Sequence, residues 1–211
     1  MRLEKEMLLL YAITNRKDES REQFSESIEK ALQGGVTVLQ LREKNISADE
    51  LIEETAALKK ICDTYNVPLI INDNVEIAIK CNADGVHVGA DDMPVSEIRK
   101  RAGRDFIIGA TAKTVEQAQK AEREGADYLG VGAVFSSPTK TEAKRITKEQ
   151  LSEITKAVNI PVVAIGGIDA DNITELHNTG ISGVAVISAL FSAEDVESRA
   201  ALLKQRVKSI L

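Results

Sequence analysis

Two acidic residues stand where they could hold a divalent cation. Asp73 comes directly after one short apolar run, and Asp92 follows the next such run. Carboxylate oxygens are ligands that Mg²⁺ prefers, usually together with phosphate oxygens of a substrate. Three basic residues, Arg42, Lys44 and Lys140, also follow apolar runs and could neutralise such phosphates. Acids, a cation and basic side chains together indicate a site for a diphosphate.

Other polar residues and glycines follow the remaining apolar runs. Gln40 alternates with Arg42 and Lys44, so the period-two geometry of a strand would place the three side chains on one face. Gly166 and Gly167 follow the seventh run, where backbone N–H groups commonly bind phosphate in barrel enzymes. The glycines therefore predict a second site, for a monophosphate.

Short apolar runs alternate with longer segments of helical spacing along the chain. The predicted strands lie at 8–13, 36–41, 68–71, 85–88, 106–109, 127–131, 161–165 and 182–187. The predicted helices lie at 21–33, 48–65, 74–82, 94–102, 114–124, 147–157, 170–179 and 195–209. Strict alternation predicts a parallel sheet, and eight units favour closure into a (β/α)8 barrel. The carboxyl ends of all strands then meet at one mouth, where the polar residues would gather.

The length favours one compact α/β TIM-barrel domain over residues 1–211. Eight units in 211 residues average about 26 residues each, which leaves little room for insertions. The rival architecture is an open doubly wound sheet, which usually carries a GxGxxG motif after its first strand. The chain reads ITNRKDES there, so the motif is absent.

Composition excludes several functional classes. Hydrophobic residues make up 43% and charged residues 28%, which is typical of a globular protein and excludes disorder. A net charge of −6, with three Tyr, four Phe and no Trp, argues against a nucleic-acid partner. No apolar run approaches the ~18 residues of a membrane span, and we expect neither a membrane partner nor a secretory signal. Cys62 and Cys81 lack CxxC spacing, which predicts reduced thiols and a cytoplasmic location.

With these residues the chain resembles the thiamine-phosphate synthase family from end to end. The matching pieces are Leu10-Tyr11 with Ile13-Thr14, Gln40-Leu41-Arg42-Glu43-Lys44, Asn72-Asp73, Val86-His87-Val88-Gly89 before Asp92, Gly130 to Phe135 leading into Thr139-Lys140, Ala164 to Ile168, and Val186-Ile187-Ser188. Their order and spacing make the resemblance specific. It implies a TIM barrel that uses Mg²⁺ to join hydroxymethylpyrimidine diphosphate to a thiazole phosphate. The products would be thiamine phosphate and diphosphate.

The resemblance also implies roles for individual residues. Asp73 and Asp92 would hold Mg²⁺, and Arg42 and Lys140 would be catalytic, acting on the diphosphate. The pyrimidine diphosphate would contact Gln40, Arg42, Lys44, Asn72, Thr111 and Lys140. The thiazole phosphate would contact Ser137, Thr139, Gly167, Ile187 and Ser188. Four positions depart from the common family pattern, and these departures concern fine substrate contacts: Ala90, Thr111, Ser137 and Pro138.

The nearest alternative function is that of a thiazole tautomerase on the same barrel. The resemblance implies that tautomerases use a histidine after strand five, and the segment 109–113 contains none. His87 falls inside strand four and is expected to be a hydrogen-bonded core residue. His177 is expected at the surface or at a helix cap. The oligomeric state, and the choice between the aromatic thiazole phosphate and its carboxylated tautomer, stay open.

Overall fold

Eight parallel strands close into a barrel in chain order. The computed structural model describes residues 3–16, 19–44, 46–136 and 145–211. Each strand pairs with the next along the chain, and β8 pairs with β1. The strands are β1 (Leu10–Ile13), β2 (Val38–Leu41), β3 (Leu69–Asn72), β4 (Gly85–Val88), β5 (Ile107–Ala112), β6 (Tyr128–Gly132), β7 (Val162–Ile165) and β8 (Gly183–Val186). This is the TIM barrel that the alternation predicts.

Helices surround the barrel on its outside. They are α1 (Arg21–Gln33), α2 (Ala48–Thr64), α3 (Val75–Lys80), α4 (Val95–Ala102), α5 (Val115–Glu124), α6 (Lys148–Lys156), α7 (Ser188–Phe191) and α8 (Val196–Lys208). Ser20, Ser47 and Thr147 begin α1, α2 and α6 with capping boxes, in which the cap and the third helical residue exchange hydrogen bonds. Gly125 ends α5 with a left-handed φ of 100°. Local sequence signals thus define the ends of several helices.

One predicted helix is wrong. The segment 170–179 forms only a 3₁₀ helix at Ile173–Leu176. Asp169 Oδ1 accepts hydrogen bonds from the backbone N–H groups of Asp171 and Asn172, and Asn172 Oδ1 accepts one from Asp169 N–H. Because such local bonds compete with helical ones, the chain stays in turns. Helix α7 was not predicted, since four residues are too few to show helical periodicity.

The interior of the barrel is filled by side chains. Alternate strand residues point inward, and the cluster that they form with one residue before β1 contains Leu8, Tyr11, Ile13, Val38, Ile70, Ile107, Tyr128, Val163 and Ala185. The residues between them face the helices and belong to the larger outer core. A filled barrel is not a pore, so a ligand approaches at the mouth.

The cysteines and His177 lie away from the mouth. Cys62 is buried in α2, where burial raises the pKa of its thiol to about 12, and Cys81 caps α3. Both are free thiols. His177 follows the 3₁₀ helix as its cap, as predicted, and its Nδ1 lies 3.1 Å from the carbonyl oxygen of Ile210. None of the helices in the described ranges is long and apolar enough to cross a membrane.

Candidate active site

Two carboxyl groups meet at the mouth of the barrel. Asp73 directly follows β3, and its N–H donates to the carbonyl of His87 at 2.9 Å, which extends the pairing of β3 with β4. Asp92 ends a turn after β4, in which its Oδ2 accepts from Gly89 N–H at 2.7 Å. The two side chains lie within hydrogen-bonding reach of each other. The structure thus brings together the two predicted metal ligands.

Contact between two carboxylates is unfavourable unless a proton or a cation lies between them. Partial burial and the contact with Asp92 raise the pKa of Asp73, whereas the charge of Lys44 and a hydrogen bond with Asn72 lower it. The described residues contain no cluster of three or more His, Cys, Asp or Glu side chains. A cation held by this pair would complete its shell with water and substrate phosphate, which is how Mg²⁺ is usually bound.

The loop after β2 carries the predicted basic residues. Strand β2 ends at Leu41, so only Gln40 lies on the predicted strand face, which does not extend to Arg42 and Lys44. Arg42 N–H instead donates to the hydroxyl of Thr14 at 2.9 Å, and this contact orders the loop. Lys44 is close enough to Asp73 for its positive charge to lower the pKa of that carboxyl group.

Glu43 stabilises this loop through hydrogen bonds to the segment that follows β1. Its Oε1 accepts from the hydroxyl of Thr14 and from the N–H of Arg16, both at 3.2 Å. The Arg16 guanidinium donates to the buried Glu54 at 2.6 Å. Burial raises the pKa of Glu43, because the charged carboxylate loses contact with water. The sequence did not predict these contacts, since contacts between loops leave no periodic signal in the sequence.

A chain of hydrogen bonds crosses the barrel below the mouth. The amide nitrogen of Gln40 donates to the Tyr11 hydroxyl at 2.9 Å, and this hydroxyl lies 2.7 Å from that of Tyr128. The Tyr128 hydroxyl lies 3.1 Å from Nδ1 of His87, whose Nε2 lies 3.1 Å from the hydroxyl of Thr111. Burial lowers the pKa of His87 to about 4. We call these five side chains the polar chain. His87 was predicted to be a hydrogen-bonded core residue: its hydrogen bonds within the barrel are confirmed, but the residue is only half-buried.

The glycines after β7 receive the loop that follows β6. Gly166 and Gly167 have φ values of 99° and 66°, which L side chains rarely adopt. Phe135 N–H donates to the carbonyl of Gly166 at 2.9 Å. A Cβ atom at Gly167 would lie 2.2 Å from the carbonyl oxygen of Ser136. The space beside Gly167 is therefore occupied by loop backbone.

The last predicted site residues lie at the neighbouring strand end. Ile187 is half-buried and precedes α7, whose first residue, Ser188, is exposed. Strands β7 and β8 are paired, so this segment and Gly167 follow adjacent strands. Ser137, Thr139 and Lys140 lie outside the described residues.

The fold and the mouth together define a class of protein. A closed parallel barrel places an acidic pair, basic residues and glycine-rich strand ends at the carboxyl ends of its strands, where TIM-barrel enzymes have their active sites. The pair suits a hard cation, and the basic residues suit phosphate groups. The molecule is a TIM-barrel enzyme with a mouth suited to phosphorylated ligands.

Comparison with known proteins identifies the family. Residues 10–190 match the family model described as thiamine monophosphate synthase. The chain is 49% identical over 191 residues to the thiamine-phosphate synthase of Ruminiclostridium cellulolyticum, covering 90% of this chain and 91% of that one. It is 44% identical to thiamine-phosphate synthase 2 of Streptococcus pneumoniae serotype 4, over 99% and 100% of the two chains. The solved structure of thiamine phosphate pyrophosphorylase from Pyrococcus furiosus superposes with a TM-score of 0.90 at 40% identity, over 98% of each chain. The chain belongs to the thiamine monophosphate synthase family.

Family membership decides between the two functions that the sequence left in competition. The relatives carry the synthase name, so the synthase interpretation is confirmed over the tautomerase. The chain is accordingly a transferase of thiamine biosynthesis. The roles of individual residues remain predictions.

We expect Gly167→Ala to lower the free energy of unfolding more than Gly103→Ala. Both glycines have a positive φ, 66° and 82°, so each alanine costs about 1–3 kcal/mol in backbone strain. A Cβ at Gly167 also meets the Ser136 carbonyl, whereas no described atom lies within 4 Å of a Cβ at Gly103. Urea unfolding of the two variants measures the difference. Equal losses would contradict the packing of the loop against Gly167.

Proposed function

We propose that the mouth binds a pyrimidine diphosphate and a thiazole phosphate and joins them into thiamine phosphate, with release of diphosphate. The observation that carries this proposal is the contact between Asp73 and Asp92 beside Lys44. Two neighbouring carboxylates favour a bound cation, and a cation next to a lysine is suited to a diphosphate. The family to which the chain belongs supports the same reaction.

Asp73 and Asp92 are the residues that would hold Mg²⁺. The ion, when bound, supplies positive charge that stabilises the oxygens of the departing diphosphate. Both aspartates present oxygen ligands, which match this hard cation better than nitrogen or sulfur does. Their contact across the ends of β3 and β4 supports the assignment.

The protein's part in catalysis is mainly electrostatic. The bond between the pyrimidine methylene carbon and the diphosphate oxygen breaks, and both electrons leave with the oxygen. Arg42 and Lys140 would stabilise this developing negative charge, with Lys44 beside them. The aminopyrimidine ring spreads the positive charge left behind, and the thiazole nitrogen forms the new bond to that carbon. No side-chain nucleophile is required, since the two substrates only have to be held close together.

The remaining site residues would bind and orient the two substrates. Gln40, Asn72 and Thr111 would contact the pyrimidine part. Backbone N–H groups at the ends of β7 and β8 would bind the thiazole phosphate. That second group comprises Gly167, Ile187 and Ser188, together with Ser137 and Thr139. The aromatic thiazole phosphate and its carboxylated tautomer present the same phosphate, so the phosphate contacts do not distinguish between them.

Two proposals concern the chain as a whole. All 211 residues would form one domain, because the strands and helices of the barrel run from Leu10 to Lys208. The free thiols of Cys62 and Cys81 support a reducing, cytoplasmic compartment.

We expect the wild-type protein to convert the two substrates into equal amounts of thiamine phosphate and diphosphate when Mg²⁺ is present. Asp73→Asn should lower this rate about 10²-fold or more, because cation binding contributes several kcal/mol of charge stabilisation. Asparagine tolerates the left-handed backbone that Asp73 adopts, with φ 62°, so the fold should persist.

Asp91→Asn is the matched control, because it removes the same charge from an exposed residue next to Asp92. It should keep nearly the full rate and Mg²⁺ dependence. An Asp73→Asn variant with the wild-type rate at low Mg²⁺ would remove Asp73 from the metal site. Failure of the wild-type protein to form thiamine phosphate would refute the proposed reaction.

Arg42→Ala should lower kcat as well as weaken binding of the pyrimidine diphosphate. Its interaction strengthens as negative charge develops on the leaving group, and one such contact is typically worth about 10²–10³ in rate. Arg123→Ala, on the exposed surface of α5, controls for the change in net charge. Steady-state kinetics with each substrate varied in turn separates the two constants. A rise in KM with unchanged kcat would mean that Arg42 binds the substrate and the transition state equally well, which would contradict its catalytic role.

A further inference from the structure

Two glycines make room for the polar chain inside the barrel. A Cβ atom at Gly109 on β5 would lie 2.1 Å from Cζ of Tyr128 and 2.5 Å from Nδ1 of His87. One at Gly130 on β6 would lie 3.0 Å from Cε1 of His87. The two rings, with centroids 5.5 Å apart, thus occupy space that side chains on β5 and β6 would otherwise fill. Polar groups inside a barrel are tolerated only when they are hydrogen-bonded, so the links of the polar chain constrain one another.

One arrangement of protons satisfies every link of the polar chain. The Gln40 amide donates to Tyr11, and the single proton of Tyr11 donates onward to Tyr128, because the reverse order would leave that proton without an acceptor among the described residues. Tyr128 then donates to Nδ1 of His87, which accepts only if the ring proton is on Nε2. Nε2–H in turn donates to the Thr111 hydroxyl. The orientation of the Gln40 amide therefore determines the tautomer of His87.

The two ends of the polar chain are the residues proposed to contact the pyrimidine. At one end, Thr111 accepts from His87, which leaves its own proton free to donate at the mouth. At the other end, one N–H of the Gln40 amide donates to Tyr11, which fixes the amide orientation and leaves its oxygen as an acceptor. The site thus offers one donor and one acceptor. An aminopyrimidine offers their complement, with an amine N–H beside a ring nitrogen that accepts.

We propose that His87, Tyr128 and Tyr11 are positioning residues that fix Thr111 as a hydrogen-bond donor and Gln40 as an acceptor, and so select an amino-substituted pyrimidine over its oxo analogue. The proposal rests on the proposed function, because it takes Gln40 and Thr111 as pyrimidine contacts. An oxo pyrimidine presents the reverse pattern, a ring N–H donor beside a carbonyl acceptor. The Thr111 donor would then face the ring N–H donor, and the Gln40 acceptor would face the carbonyl acceptor. Unpaired buried polar groups of this kind discriminate strongly between ligands.

The tautomer of His87 can be measured without any substrate. The chain has two histidines, so long-range ¹H–¹⁵N spectra of labelled protein are assigned with a single His177→Gln variant. We expect the Nε2–H tautomer for His87 in the wild-type protein. Tyr128→Phe removes the donor to Nδ1 at nearly constant volume, and should produce a mixture of tautomers. A wild-type Nδ1–H tautomer would reverse the proton order and overturn the proposal.

Tyr65→Phe is the matched control for the loss of a tyrosine hydroxyl. The Tyr65 hydroxyl donates to Glu29 at 3.0 Å and accepts from Gln33 at 3.1 Å, at the outer surface between α1 and α2. This variant should leave the His87 signals and both KM values unchanged. If Tyr128→Phe does not fold, Tyr11→Phe interrupts the same polar chain one link earlier and serves in its place.

Kinetics distinguishes positioning from a merely structural role. Tyr128→Phe should raise KM for the pyrimidine diphosphate about tenfold, the effect expected for the loss of one hydrogen bond. KM for the thiazole phosphate should not change. Inhibition by the 4-oxo analogue of the pyrimidine diphosphate should become stronger relative to binding of the amino substrate. Equal rises in both KM values, or unchanged selectivity, would overturn the proposal. Absence of thiamine phosphate with the wild-type protein would instead refute the proposed function, while the tautomer experiment would still test the polar chain.

Discussion

The pairing of the Asp73 and Asp92 carboxylates at the ends of β3 and β4 is the constraint around which the mouth is organised. Barrel closure makes β3 and β4 neighbours, and the hydrogen bond from Asp73 N–H to His87 fixes where the first carboxylate emerges. The turn from Gly89 to Asp92 brings the Asp92 carboxylate next to that of Asp73. Because two like charges held side by side favour a bound cation, this arrangement supports the proposed binding of a metal and a diphosphate.

Polarity continues below the mouth, where most TIM barrels are filled by branched apolar side chains. Tyr11 and Tyr128 place two hydroxyl groups in the interior, and Gly109 leaves space for the second ring. Because each hydroxyl is bonded on both sides, the cost of burial is largely offset. The polar chain joins Gln40 to Thr111 across the barrel, so the floor of the site carries a continuous series of hydrogen bonds.

The alternation of apolar runs and helical segments was sufficient to predict the barrel, because strict alternation allows few other arrangements. It also predicted the neighbouring positions of Asp73 and Asp92, which follow consecutive strands. The predicted helix at 170–179 does not form over its full length, because Asp169 accepts hydrogen bonds from backbone N–H groups at the start of this segment. Gln40, His87 and Thr111 were singled out from the sequence, but their connection through Tyr11 and Tyr128 was not predicted. Periodicity identifies which side chains face inward, but the partner that each one meets depends on the shear and width of the barrel.

We propose that Asp73 and Asp92 share one divalent cation with a diphosphate. Crystals grown with Mn²⁺ and inorganic diphosphate test this directly, because Mn²⁺ prefers the same oxygen ligands as Mg²⁺ and is visible by anomalous scattering. We expect an anomalous peak coordinated by both carboxylates and by diphosphate oxygens, with Lys44 nearby. A peak that touches neither aspartate, or diphosphate bound at the mouth with no metal between the two carboxylates, would contradict it.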